Sequence, residues 1–163
     1  MAEAILVFSQ ESSLLRKAAH STKVNSHVWG MVLALVCACI GVFAIWYNKE
    51  LNNKPHMTSW HGTLGYATLV YVAVQCVAGV FVKYHGILAA YLKPVQLKMY
   101  HATSGLLLYS LVCLSLVLGM FSTWFSSNIT GTSWWACAAC PALLVLMAMN
   151  QITQRYLQPK HVR

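Results

Sequence analysis

Acidic side chains are almost missing from this chain. Only Glu3, Glu11 and Glu50 occur among 163 residues, and charged residues of both signs make up 9%. Soluble domains carry roughly 25%, so a water-soluble globular domain is excluded. All three carboxylates lie outside the long apolar runs, which leaves an intramembrane carboxylate relay, common in proton transporters, without residues to use. Cysteine is present but not where a disulfide framework would need it: Cys37, Cys39, Cys76, Cys113, Cys137 and Cys140 all fall inside apolar runs. Cys137 and Cys140 form a CxxC within such a run, where packing accounts for them better than redox chemistry or zinc. Residues 1–9 are apolar but too short to span a bilayer, and they lack the basic region and cleavage site of a signal peptide. They read as the last turns of a helix whose beginning is missing.

What remains is hydrophobic. Apolar residues make up 58% of the chain and the mean hydropathy is +0.58. The runs have the length of about twenty residues that crosses a bilayer. The expected fold is an all-α membrane protein with a single domain over residues 1–163. Four complete transmembrane helices are expected at about 26–47, 60–82, 97–125 and 134–152, beside the N-terminal remnant of a fifth. Pro94 suits the first turn of the third helix, and Pro141 is expected to kink the last.

The 11 Lys and Arg residues give a formal charge of +8. In a soluble protein such an excess raises nucleic acid as a partner; here it reports topology, and no nucleic acid is expected. Successive spans alternate in direction, so loop 10–26, loop 83–99 and the tail share one side. That side holds Arg16, Lys17, Lys23, Lys83, Lys93, Lys98, Arg155, Lys160 and Arg163, against Lys49 and Lys54 on the other. Basic residues concentrate on the cytosolic side, so loops 10–26 and 83–99 and the C-terminus are expected there. Asn128 of Asn-Ile-Thr then falls on the far side, where a glycosylation sequon is usable.

Two short stretches repeat one device: Trp60-His61-Gly62-Thr63-Leu64-Gly65 and Tyr100-His101-Ala102-Thr103-Ser104-Gly105. Each opens an apolar run. A histidine in hydrocarbon is costly and points to function. The glycine four residues on shares its helix face and is expected to leave room for a flat ligand. Together these features suggest haem iron ligation. His27 opens the first span and His101 the third, both from the cytosolic side, so they lie at matched depth on parallel helices. His61 opens the second span from the opposite side and has no partner at its level. Gly30, Ala34, Ala38 and Gly41 line the first span at helical spacing and could admit a macrocycle or a close helix neighbour.

Lys98 with Tyr100-His101-Ala102-Thr103-Ser104-Gly105, Leu118-Gly119-Met120, Thr130-Gly131-Thr132-Ser133-Trp134 and Met149-Asn150-Gln151 together resemble cytochrome b561, and most closely the animal domain-containing branch of that family. The resemblance covers essentially the whole chain. It implies a six-helix protein with two b-type haems, each held by two histidines of the central four helices. It implies electron transfer across the membrane from cytosolic ascorbate to ferric iron or monodehydroascorbate, an ascorbate-dependent ferrireductase. By the resemblance His27 and His101 ligate the cytosolic haem b. His61 matches one ligand of the other haem, whose second ligand belongs to a helix only partly present. The first helix and part of the second are lacking, so the chain reads as N-terminally truncated. A membrane of the endoplasmic reticulum or of vesicles is the family-level expectation, and a homodimer is possible.

Ascorbate is an anion, so a basic residue near a haem edge would concentrate it. Lys98, three residues before His101, is the best placed, ahead of Lys23, Arg16 and Lys93. His20, His56, His85 and His161 are expected in solvated loops or the tail, with His56 able to touch an incoming metal ion or reductant. Thr63 and Thr103 are expected to bond backbone carbonyls. Two other function classes compete: a metal or proton transporter using the histidines, and a non-catalytic truncated form or membrane partner subunit.

Overall fold

The computed structural model describes residues 1–9, 13–88 and 91–154. Glu11 and the tail residues Arg155, Lys160, His161 and Arg163 lie outside the described residues. Six α-helices follow in order: α1 (Ala2–Leu6), α2 (His20–Leu51), α3 (Trp60–Lys83), α4 (Pro94–Gly119), α5 (Thr123–Asn128) and α6 (Gly131–Ile152). A 3₁₀ turn at His85–Leu88 lies between α3 and α4. The described residues form no strand. Among the described residues four helices, α2, α3, α4 and α6, are long and apolar enough to cross a membrane.

The helix starts follow local chemistry. Ser59 precedes α3, and its hydroxyl accepts the Gly62 N–H at 3.1 Å, satisfying one of the free donors of the first turn. Pro94 stands in the first turn of α4, while the Gln96 side chain reaches back to the Lys93 N–H at 3.3 Å. Gly131 begins α6 at φ +61°, a backbone conformation that glycine adopts without a Cβ penalty.

The ends of the spans differ from the sequence expectation. The expected 26–47 span belongs to a helix of 32 residues, about 48 Å long, because polar residues at its ends continue the backbone ladder beyond the hydrocarbon. The third helix was expected to run to residue 125 but ends at Gly119. Ser122 then starts the separate helix α5 by accepting the Phe125 N–H at 3.3 Å, and the Trp134 indole donates to the Met120 carbonyl at 3.1 Å. Residues 126–128 of the expected loop are therefore helical. The last span begins at Gly131 rather than 134, and α6 continues through Pro141. The apolar N-terminal residues do form a helical segment, α1.

α3 and α4 make the most extensive contact, and α4 also packs on α6. The core lies where α4 meets α6: Tyr109, Cys113 and Ala148 are buried, with Leu106, Leu144 and Val145 packed around them. α1 wedges between α2 and α6; Gln151 donates to the Ile5 carbonyl at 3.1 Å across this junction. Most of α2 faces outward, with Trp29 72% and Phe43 70% exposed. An outward apolar face costs little in a bilayer, because lipid tails are as apolar as leucine.

Candidate functional site

The two histidine motifs sit at opposite ends of one antiparallel pair. His61 starts α3 and lies against the end of α4, while His101 near the start of α4 lies against the end of α3. The facing residues repeat with the same offset of 40: His61 and His101, Gly65 and Gly105, Gln75 and Ser115, Gly79 and Gly119. A Cβ on Gly119 would stand 3.0 Å from the His61 ring, and one on Gly79 would stand 3.3 Å from the His101 ring. These two glycines are therefore the seats of the imidazoles. The glycines inside the motifs do something different from what was expected. A Cβ on Gly65 would meet Ser115 Oγ at 3.2 Å, and one on Gly105 would meet Gln75 Nε2 at 3.1 Å. The space they clear is taken by polar side chains of the neighbouring helix, so it serves helix packing rather than a flat ligand.

His27 reaches the same level as His101 from α2. The ring centroids are 6.3 Å apart and the planes stand at 83°. Two imidazoles bound end-on to one metal, each through a bond of ~2 Å, bring their centroids about 6 Å apart once the depth of each ring is added. His27 Nδ1 lies 2.6 Å from the Ala4 carbonyl, which can only accept, so the proton is on Nδ1 and the Nε2 lone pair is free. His61 is held in the same tautomer by the Ser115 carbonyl at 2.8 Å. Hydrogen bonding of the remote ring nitrogen is the usual way a ligating histidine is oriented. The His27–His101 pair thus fits a group that accepts one imidazole on each of two faces. His61 makes no ring contact with another histidine among the described residues. Among those residues no group of three or more His, Cys, Asp and Glu gathers around a point, so the arrangement in view is a pair.

The small-residue stripe of α2 divides. A Cβ on Gly30 would come within 2.7 Å of Ala4 Cβ, so this glycine admits α1 and with it the carbonyl that holds His27; Gly41 faces open space. Lys98 is exposed on the first turns of α4, and Arg16 and Lys93 are exposed as well. Lys23 instead turns its ammonium onto the Arg16 carbonyl at 2.9 Å. Phe8 stands between His20 and His27, with centroid separations of 6.1 Å and 5.7 Å. His20 thus starts α2 at the edge of the His27 site rather than lying in a free loop. His56 is also engaged: Nε2 lies 2.8 Å from Glu50 Oε1, and Trp46 stacks on the ring at 3.9 Å. Thr63 donates to the Met57 carbonyl and Thr103 to Met99 and Tyr100.

Sequence reasoning passed over Gln75, Ser115 and Gly79. Gln75 is 6% exposed within a helix of apolar residues and touches both His101 and Ser104. The signal was available: comparing the chain with itself at the 40-residue offset of the two histidine motifs brings these positions into register.

Comparison with known proteins agrees with this architecture. A profile for eukaryotic cytochrome b561 matches residues 1–126. The chain is similar to transmembrane reductase CYB561D2 of Mus musculus, with 40% identity over 163 residues, covering 100% of this chain and 73% of that protein. The Homo sapiens protein of the same name is 39% identical over the same span. Probable transmembrane reductase CYB561D1 of Homo sapiens is 37% identical over 160 residues, 98% of this chain and 69% of that protein. No solved structure matches the chain.

Proposed function

Since the chain belongs to the eukaryotic cytochrome b561 family, a family of multi-pass membrane oxidoreductases, we propose that it passes electrons across the membrane from cytosolic ascorbate to ferric iron or monodehydroascorbate. The residues assigned to this work are His27 and His101, which would hold a cytosolic haem b, and His61, which would supply one ligand of a second. The observation that carries the reading is the ring pair of His27 and His101: matched depth, 6.3 Å between centroids and near-perpendicular planes.

A haem held by His27 and His101 would supply one-electron exchange rather than oxygen binding. The chain's own residues supply the setting. The Ala4 carbonyl fixes the His27 tautomer, Gly79 lets His101 approach α3, and Gly30 lets α1 close over the site. Lys98 draws the ascorbate anion toward this end of the bundle, and Phe8 fills the edge between His20 and His27. The distribution of Lys and Arg supports a cytosolic position for loops 10–26 and 83–99. Asn128 and the His56–Glu50 pair then face the other compartment, which we assign to the endoplasmic reticulum or vesicles. A single membrane domain accounts for the whole chain.

One observation favours a second reading, a non-catalytic membrane partner. His61 is exposed, its Nδ1 is held by Ser115, and its ring makes no contact with a second histidine ring among the described residues. Haem stoichiometry of the purified chain, read from dithionite-reduced spectra with His101→Ala and His61→Ala alongside, separates the readings. One haem lost with His101 alone leaves an intact cytosolic half-site without a route across. Two haems, one lost in each variant, make a transmembrane reductase. No haem sinks both ligation assignments and leaves the partner reading.

A further inference from the structure

The two ends of the bundle treat their charges differently. At the end where α3 begins, Lys49 places its ammonium on the Pro55 carbonyl at 2.9 Å, and Glu50 Oε1 lies 2.8 Å from His56 Nε2. The other end, where α2 and α4 begin, carries Arg16, Lys17, Lys23, Lys83, Lys93 and Lys98. Among the described residues none of these six has a carboxylate partner. Glu3 is the one described carboxylate at this end, and its Oε1 is taken by the Leu14 N–H at 3.1 Å. The first turns of α2 and α4 hold no acidic residue, although a helix start favours negative charge. Lys23 turns onto the Arg16 carbonyl, and the other five side chains are exposed.

Large apolar side chains stand beside these cations. Leu14, two residues before Arg16, is 87% exposed, and Tyr91, two residues before Lys93, is 84% exposed. Val95, two residues after Lys93, is 75% exposed. Apolar surface of this kind, rimmed by polar residues, marks contact with a membrane or a partner. At the rim of a membrane bundle it lies at the boundary of the hydrocarbon, and the long basic side chains next to it reach the headgroup level. Clusters of about four to eight Lys or Arg beside a membrane helix attract anionic lipid.

We propose that this rim is a docking surface for anionic phospholipid. Arg16, Lys17, Lys83 and Lys93 meet the headgroup phosphates, and Leu14, Tyr91 and Val95 lie against the upper part of the acyl chains. The apolar neighbours are what select a lipid over a free phosphate. A soluble anion gains nothing from Leu14, Tyr91 or Val95, whereas a phospholipid meets both kinds of side chain. The inference goes beyond electron transfer and does not depend on haem ligation.

The test reconstitutes the full chain in phosphatidylcholine bilayers with a trace of spin-labelled phosphatidylserine or spin-labelled phosphatidylcholine. The fraction of each probe immobilised at the protein boundary gives their relative association. Phosphatidylserine should be held at least about fivefold more tightly, the contribution of a single Lys or Arg near the surface. High salt should erase the preference in the wild-type chain, an arm that needs no variant to fold. Arg16→Gln, Lys17→Gln and Lys93→Gln combined should bring the two lipids within about twofold of each other. Lys54→Gln, at the other end, should leave the preference intact. Equal association of both lipids with the wild-type chain overturns the proposal. So does a preference that survives both high salt and the combined variant, or one that Lys54→Gln abolishes. Displacement of the phosphatidylserine probe by glycerol phosphate at constant ionic strength overturns it too, because the rim would then serve a free phosphate.

Discussion

His61 and His101 occupy equivalent places in two helices that repeat one another, yet their surroundings differ. His101 is half-buried, faces a second histidine across 6.3 Å and is held by a buried glutamine side chain. His61 is exposed, faces no second ring among the described residues and is held by a backbone carbonyl. The repeated glycines and motif residues give both rings a seat against the neighbouring helix. What makes one of them half of a pair is a third element: α2, steadied by α1 at Gly30 and Ala4. A repeated motif supplies a position twice; it does not supply a partner twice.

The largest expected break in this comparison is His101→Ala, which should abolish the haem absorbance assigned to the pair, while His61→Ala leaves it intact; reduced-minus-oxidised difference spectra read it directly. Next is Gly30→Ala. Its Cβ would overlap Ala4 at 2.7 Å, both atoms belong to packed backbone segments, and overpacking of this kind costs about 1–3 kcal/mol. Thermal unfolding in detergent should fall accordingly, with the His27 site loosened and the His61 site untouched. Gly119→Ala should act on the other half in the same sense but less, because an imidazole ring at 3.0 Å can tilt away. The expected cost is about 1 kcal/mol, with faster carbethoxylation of His61 as the companion measurement. Removing the polar bridge with Gln75→Leu should cost about 1–3 kcal/mol, because the Ser104 hydroxyl and the His101 carbonyl lose a partner in a half-buried place. The smallest effect belongs to Lys98→Ala. An exposed charge contributes at most about 1 kcal/mol, so the apparent KM for ascorbate should rise less than about fivefold. The change should fade in high salt, where exposed charges are screened.

Much of this fold was legible in residue types and spacing. Four apolar runs and nearly absent carboxylates make a membrane bundle unavoidable, because each residue's transfer energy is set by its own side chain. Pro94 marked the start of α4 by its fixed φ and missing donor, and the repeated aromatic–histidine pair with a glycine four residues after the histidine marked both rings. Span ends were less legible. The break between Gly119 and Thr123 depends on the Ser122 cap and on the Trp134 indole bonding Met120 from 14 residues away, and hydropathy reports neither. The purpose of Gly65 and Gly105 was misread for a related reason: a missing Cβ shows that something approaches closely, not what approaches.

Composition and order of residues alone determined that the chain is a multi-pass membrane protein, that its basic residues gather in alternate segments between the apolar runs, and that two histidines open equivalent helices. These are properties of single residues and of spacing along one helix. Only the tertiary structure decided that His27 and His101 face each other, that Gln75 and not a carbonyl meets His101, and that Gly79 and Gly119 seat the rings. Those contacts join residues on different helices, and their existence depends on how the helices rotate and slide against one another. That choice is made by all the packed side chains together.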